Sequence, residues 1–306
     1  MTAIPAAGSA SATRTRDRAI EDATTTVRYK RHWGKSIRTG IQAIIIVIWC
    51  LAPFYWMIVT AFRDVGYTYD TAFWPTHVTL DNFATALSTR LGNHLGQAIL
   101  NSVFIGACVT IIALVVGISA AYALARLEFK GKGIVAGLIL AASMFPGVAL
   151  LSPLFQLFTN IGWNGTYQAL ILPSISFVLP LTVYTLTSFL REMPWDLEEA
   201  ARIDGCTRIQ AFWRVILPLA APAVFTTAIL AFIASWNEYL ISSQLSSDAT
   251  QPVTVAIARF TGSQPHVEPY TTIMAAGTIV TVPLVILVLV FQRRIVSGLT
   301  AGGVKG

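Results

Sequence analysis

Charge is scarce in this sequence: Asp, Glu, Lys and Arg make up 12% of its 306 residues, whereas 55% are apolar. So few charged groups cannot cover a soluble globule, and the composition is that of a chain built to lie in lipid. The scarcity is also uneven. Six apolar runs, 41–62, 98–125, 134–158, 168–190, 219–241 and 270–292, hold no Asp, Glu, Lys, Arg or His apart from Glu238 near one end of the fifth. Each approaches or exceeds the roughly 20 residues that a helix needs to cross a bilayer. An open strand cannot satisfy its backbone there. The sequence therefore predicts an all-α polytopic membrane protein with six transmembrane helices. An ion-coupled carrier would need an intramembrane carboxylate or histidine relay, and an intramembrane hydrolase a nucleophile with its base. The runs contain neither, which leaves the carrier as the weaker alternative and no residue as a catalytic candidate.

Cysteine is equally sparse. Cys50, Cys108 and Cys206 lie far apart, two of them inside apolar runs, and predict neither a metal cluster nor a disulfide framework. No nucleotide-binding loop is legible either. Gly34-Lys35-Ser36 ends like one, but Tyr29 and Lys30 stand where a glycine is required. The chain is expected to hold no metal or cofactor and to hydrolyse no ATP. Any pumping must be driven by a partner.

What charge there is flanks the runs. Of 21 Lys and Arg residues, eight lie in 1–40, three in 126–133, four in 191–218 and three after 292, leaving only Arg63, Arg90 and Arg259 on the other side. The bias places both termini, and the polar stretch 193–222, in the cytoplasm. The net charge of +6 is thus explained by membrane topology rather than by nucleic-acid binding. Residues 1–37, rich in Ala, Thr, Ser and Arg and without apolar periodicity, read as a mostly disordered cytoplasmic tail. Residues 38–306 read as the membrane domain.

The stretch 193–222 reads as two short helices. Asp196, Glu198 and Glu199 favour a helix N-terminus, and Gly205 supplies a left-handed stop, giving a first helix over about 195–204. Thr207 and Gln210 form a capping box, and Ile209, Phe212, Trp213 and Ile216 fall on one apolar face, with Pro218 and Pro222 closing the second helix. The result is an amphipathic knob that offers Ala200 and Ala201 beside Glu199, a shape suited to docking.

Within the runs, Ala113, Gly117, Ala121 and Ala125 form a small-residue stripe for close helix packing. Pro146, Pro153, Pro173 and Pro180 predict kinks or local unwinding, either along a pathway or as bent packing alone. The outer segments 63–97 and 242–269 are long enough to bind something; the second carries Pro252, Arg259, Pro265, His266 and Glu268. Asn164-Gly165-Thr166 reads as a turn rather than a glycosylation site. Trp236-Asn237-Glu238-Tyr239 is the candidate substrate-path stretch. An aromatic face beside amide and carboxylate acceptors suits a sugar, and an interfacial aromatic anchor is the competing reading.

One spacing carries a family resemblance. Glu199-Ala200-Ala201, three residues, Gly205, nine residues and Val215-Ile216-Leu217-Pro218 resembles the EAA loop of ABC-importer permeases, with Val215 where the family usually has Ile. Trp236-Asn237-Glu238-Tyr239, Phe291-Gln292-Arg293-Arg294 and the Gly298–Gly306 tail are similar to MalG-type subunits of carbohydrate importers. Tyr122–Phe129, Met144-Phe145-Pro146 and Arg191–Glu198 are similar to trehalose importers among them. The resemblance implies a six-helix, MetI-like half of a type I ABC importer in a bacterial inner membrane. It also implies a MalF-like second permease subunit, an ATPase dimer that binds ATP and Mg, and an extracytoplasmic sugar-binding protein or lipoprotein. By the same resemblance the ATPase would be met by Glu199, Ala200, Ala201, Asp204, Gly205 and Pro218 and by the C-terminal tail, and the 242–269 loop would reach the binding protein. The cargo would be an α-glucoside such as trehalose or maltose, with another solute such as glycerol-phosphate as the alternative.

Overall fold

The computed structural model describes residues 33–89, 93–260 and 269–301, with side chains between 38 and 292 of these. Of the expected disordered tail 1–37, residues 1–32 lie outside the described residues, as do Arg90, Pro265, His266, Glu268 and the side chains after Gln292, while residues 33–37 are helical. The chain divides into two compact units, Met1–Phe54 and Tyr55–Gly306. Helix α1 (Trp33–Ala61), whose residues up to Phe54 belong to the first unit, begins ahead of the expected Ile41 and carries exposed Ile and Val side chains from Ile41 to Ile48, as a helix facing lipid must.

Among the described residues, the regular structure of the second unit is helical apart from an isolated bridge between Arg63 and Val78. After α2 (Asp81–Leu87) come α3 (Leu95–Arg126), α4 (Lys132–Ser143), α5 (Leu151–Asn160) and α6 (Tyr167–Glu192). They are followed by α7 (Asp196–Ile203), α8 (Arg208–Leu219), α9 (Ala221–Trp236), α10 (Leu240–Leu245), α11 (Val253–Ala258) and α12 (Tyr270–Ala301). Helices α1, α3, α6 and α12 are each long and apolar enough to cross a membrane unaided.

The third apolar run is broken, as its prolines led us to expect, and the helix of the fifth is shorter than the run. Helix α4 and the segment Gly147–Asn160 meet at 86°. Pro146, extended at φ −68° and ψ 112°, has no N–H to continue the ladder and disfavours helical geometry at Phe145. Pro153 falls in the first turn of α5 and Pro173 and Pro180 inside an uninterrupted α6, so the unwinding expected at these three does not occur. The start of the fifth run coincides with the boundary expected between Pro218 and Pro222. Its helix turns by 73° at Ala220 and ends at Trp236 rather than running on to Ile241. Helix α8 ends at Leu219, between Pro218 and Pro222 as expected, and Pro218 is preceded by a π-helical turn over Phe212–Ile216. A proline that removes one donor from the ladder is accommodated by such a wider turn.

The core is built on α3 and α6. The stripe Ala113, Gly117, Ala121 and Ala125 is buried as expected. A Cβ added at Gly117 would lie 2.6 Å from Thr182 Cγ2 on α6, and one at Gly106 would lie 2.8 Å from Phe232 Cε2 on α9. These glycines let the backbones approach. Gly162 and Gly165, at φ 72° and 79°, make the turn before α6, with Thr166 Oγ1 donating to Trp163 O at 2.7 Å.

Alanine is the better helix former by up to ~1 kcal/mol, so Gly117→Ala would stabilise α3 if there were room. Instead we expect a loss of about 1–3 kcal/mol from overpacking against the stiff Thr182 side chain. Thr182→Ser removes Cγ2 and keeps the hydroxyl bond to Val178 O (3.0 Å), so the double variant should recover most of that loss in thermal unfolding. An equally unstable double variant would show that the helices are not held at contact by this pair.

Candidate functional site

The polar stretch between α6 and α9 folds as two capped pieces. Helix α7 starts with Asp196, Glu198 and Glu199 against the positive end of its dipole. It ends in a Schellman arrangement: the Cys206 N–H donates to Ala201 O (3.0 Å), the Gly205 N–H to Arg202 O (3.1 Å), and Gly205 has φ 91°. The predicted capping box opens α8, with the Thr207 N–H donating to Gln210 Oε1 (2.9 Å) and the Gln210 N–H to Thr207 Oγ1 (3.3 Å).

Burial sorts the candidate residues. Glu199, Ala200, Asp204, Gly205 and Pro218 are exposed, whereas Ala201 is buried against the bundle. The single apolar face expected of α8 is divided: Phe212 and Ile216 are buried, while Ile209 and Trp213 are 72% and 61% exposed. The exposed pair lies one helical turn apart, as does the buried pair. With Ile203, 86% exposed, they make an uncovered apolar rim around the Glu199–Gly205 knob.

Sequence reasoning missed what holds the knob in place. The Tyr122 hydroxyl on α3 donates to Oε1 of the buried Glu198 at 2.9 Å, and its ring packs on Phe212 at 4.8 Å. One turn further, the buried Arg126 donates to Met193 O (2.8 Å) and lies 4.5 Å over the Trp195 ring. The signal was available: Tyr122 and Arg126 share a face at i, i+4, and a basic residue ends an otherwise uncharged span.

At the other end of the bundle the Trp236–Tyr239 stretch is split by role. Trp236 is buried among Ala61, Leu95, Ala98, Val253 and Ala275. Glu238 caps α10, its carboxylate accepting from the N–H groups of Ile241 (2.7 Å) and Ser242 (3.0 Å). Asn237 and Tyr239 are exposed. The 242–260 part of the second outer segment is folded onto the bundle rather than free. Asn101 Nδ2 on α3 donates to Ala249 O (2.9 Å) and Gln251 O (3.0 Å), Tyr167 donates to Asn101 Oδ1 (2.8 Å), and the Val253 N–H donates to Ser102 Oγ (2.9 Å). Among the described residues, no group of three His, Cys, Asp or Glu could hold a metal ion.

Residues 113–300 match the family described as the binding-protein-dependent transport system inner membrane component. The chain is 45% identical to the trehalose transport system permease protein SugB of Mycobacterium tuberculosis, over 86% of this chain and 95% of that one. It is 41% identical to the trehalose/maltose transport system permease protein MalG of Thermococcus litoralis, over 89% and 98%. It is 39% identical to the sulfoquinovosyl glycerol transport system permease protein SmoH of Agrobacterium fabrum, over 89% and 95%. In fold it is similar to a chain in the crystal structure of a bacterial ABC transporter involved in import of the acidic polysaccharide alginate. The TM-score is 0.72 at 19% identity, over 88% of this chain and 99% of that one.

Removing the Tyr122 hydroxyl leaves the Glu198 carboxylate buried without that donor, a loss of about 1.5–3 kcal/mol for a bond to a charged group. We therefore expect Tyr122→Phe to lower thermal stability and to speed alkylation of the half-buried Cys206, read by mass mapping. Glu198→Gln, which keeps the acceptor, should change both less. Unaltered Cys206 reactivity in Tyr122→Phe would mean that this bond does not hold the knob.

Proposed function

Since the chain belongs to the family of binding-protein-dependent transport system inner membrane components, and is a permease subunit of an ABC sugar importer, we propose that its cargo is an α-glucoside disaccharide such as trehalose or maltose. The observation that carries this reading is 45% identity to a trehalose permease over 86% of the chain. The subunit is a translocation component without catalysis or cofactor of its own, in a complex with an ATPase that binds the ATP and with a binding protein. Family membership sets the ion-coupled carrier aside.

In this reading both termini and the 193–222 loop face the cytoplasm, and a MalF-like subunit completes the path as a heterodimer. The knob enters a cleft of the ATPase dimer. Its exposed Glu199, Ala200, Asp204 and Gly205 make the contact, Ala201 seats α7 on the bundle, and Pro218 sets the end of α8. A carboxylate that meets a partly desolvated cation there matters by a few kcal/mol, because removing one partner strands the other. On the path, Asn237 and Tyr239 meet sugar hydroxyls, while Trp236 and Glu238 hold the backbone that presents them. Uncharged walls suit a neutral cargo.

Three outcomes are expected. The complex reconstituted with its binding protein and ATP should take up trehalose or maltose, and uptake of glycerol-phosphate with neither sugar would overturn the cargo. Nothing lies within 4 Å of a Cβ added at Gly205, so its constraint is φ alone. Gly205→Val should cut uptake at least tenfold, whereas Gly205→Asn, tolerant of left-handed geometry, should keep most of it; Glu199→Lys should weaken ATPase co-purification. Wild-type behaviour of Gly205→Val and Glu199→Lys would remove the coupling role. Single-cysteine labelling in intact cells should reach positions near 80, 164 and 255 but not 130 or 205, and labelling of 205 from outside would reverse the topology.

A further inference from the structure

The segment between α1 and α2 is braced beyond what a connecting loop needs. The Asp64 N–H donates to His77 O (3.0 Å) and the Thr79 N–H to Phe62 O (2.9 Å). Arg63, only 1% exposed, donates to Asp70 O and Ala72 O and lies 4.8 Å over the Trp56 ring. The Asp70 carboxylate accepts from the Ala72 N–H (3.1 Å) and the Thr76 hydroxyl (3.0 Å). This scaffold surrounds an open cavity of about 550 Å³ lined by Gly66, Tyr67, Tyr69, Asp70, Thr76 and His77, within the size range of small-molecule sites. Tyr67 and His77 stack at 4.0 Å, and Tyr69 is 80% exposed beside Tyr270, which opens α12.

We propose that this cavity is a carbohydrate subsite, which takes one pyranose ring of the cargo at the mouth of the permease. The proposal rests on the reading above that the segment faces outward. Ring faces offer stacking to the apolar C–H face of a pyranose, and the hydroxyls around that face need acceptors in fixed positions. Asp70 supplies them. Each of its oxygens accepts one bond internally and has a lone pair left. The Ala72 N–H, and then the Thr76 hydroxyl, hold its carboxyl below the usual range, so it stays ionised until the pH falls through that lowered value. A cation is the other ligand that aromatic rings and a carboxylate attract, but the buried Arg63 beside Asp70 offsets the negative charge and favours a neutral polyol. Location agrees. Ala61, which ends α1, shares its core cluster with Trp236, so cavity and candidate path lie at one end of the bundle.

The test uses the full complex in nanodiscs without the binding protein, probed with trehalose by saturation-transfer difference NMR. The wild type should show saturation of the sugar ring protons, reduced at least threefold in Tyr69→Ala and in His77→Ala and retained in Tyr69→Phe. With binding protein and ATP, the two alanine variants should lower maximal uptake by a similar factor. Tyr69→Ala, at an exposed side chain, keeps the test open if His77→Ala fails to assemble. Unchanged saturation in Tyr69→Ala overturns the subsite, as does weaker retention of the sugar-free binding protein with saturation intact, which would make the loop a protein-docking surface. A stronger signal from choline than from trehalose overturns it in favour of a cation site. A wild type that imports no α-glucoside yet shows the variant-sensitive sugar signal overturns the cargo reading and supports the subsite.

Discussion

The approach of α3 to α6 through a stripe of small side chains is the constraint on which the rest of the second unit depends. Lipid supplies little hydrophobic drive for one helix to seek another, so contact must be won by backbone proximity and close van der Waals fit. Gly117 against Thr182 on α6, and Gly106 against Phe232 on α9, leave no room for a Cβ. Each of the three core clusters draws residues from α3: Leu95 and Ala98 in one, Ile105, Val109 and Ala113 in the next, Ile118, Ala121 and Ala125 in the last. The helix is a common spine, and both polar networks hang from its ends.

Those networks divide the labour. Along the apolar middle, hydroxyls such as Ser174 and Thr182 bond carbonyls of their own helix and make no demand on neighbours. At one end of α3, Tyr122 and Arg126 hold the knob by a carboxylate and a carbonyl; at the other, Asn101 and Ser102 hold the 249–253 backbone. The polar groups that fix loops to the spine are buried or partly buried, whereas Glu199 and the Asn237 Oδ1 are exposed toward other molecules.

Much of this was legible because it is written in period and local chemistry. The uncharged runs, the Gly205 stop, the Thr207 box and the small-residue stripe all follow from neighbours within one or two turns. What was not legible depends on contacts distant in sequence. Glu198 and Glu199 are adjacent carboxylates in one helical turn, and only the position of Tyr122, 76 residues away, decides that the first is buried. Trp236 read as a sugar platform because an aromatic beside an amide has that chemistry, but packing with Ala61 and Ala275 encloses it. The four prolines of the third and fourth runs looked alike, but only Pro146 lacked a continuing helix around it, and the bend at Ala220 falls between Pro218 and Pro222, which mark it in the sequence.

That alanine has a mechanical consequence. Ala220 is buried and joins α8 directly to α9, so the knob is separated from the bundle by a stiff elbow rather than by slack chain. At 1.5 Å per residue, the 12 residues of α8 form an arm of ~18 Å and the 16 of α9 one of ~24 Å. A rigid rotation of about 10° at the elbow displaces their far ends by ~3 Å and ~4 Å, from the same helical rise. A small tilt imposed on one arm thus arrives at the Asn237 end of the other as a movement longer than a hydrogen bond of about 3 Å, with no intervening loop to absorb it.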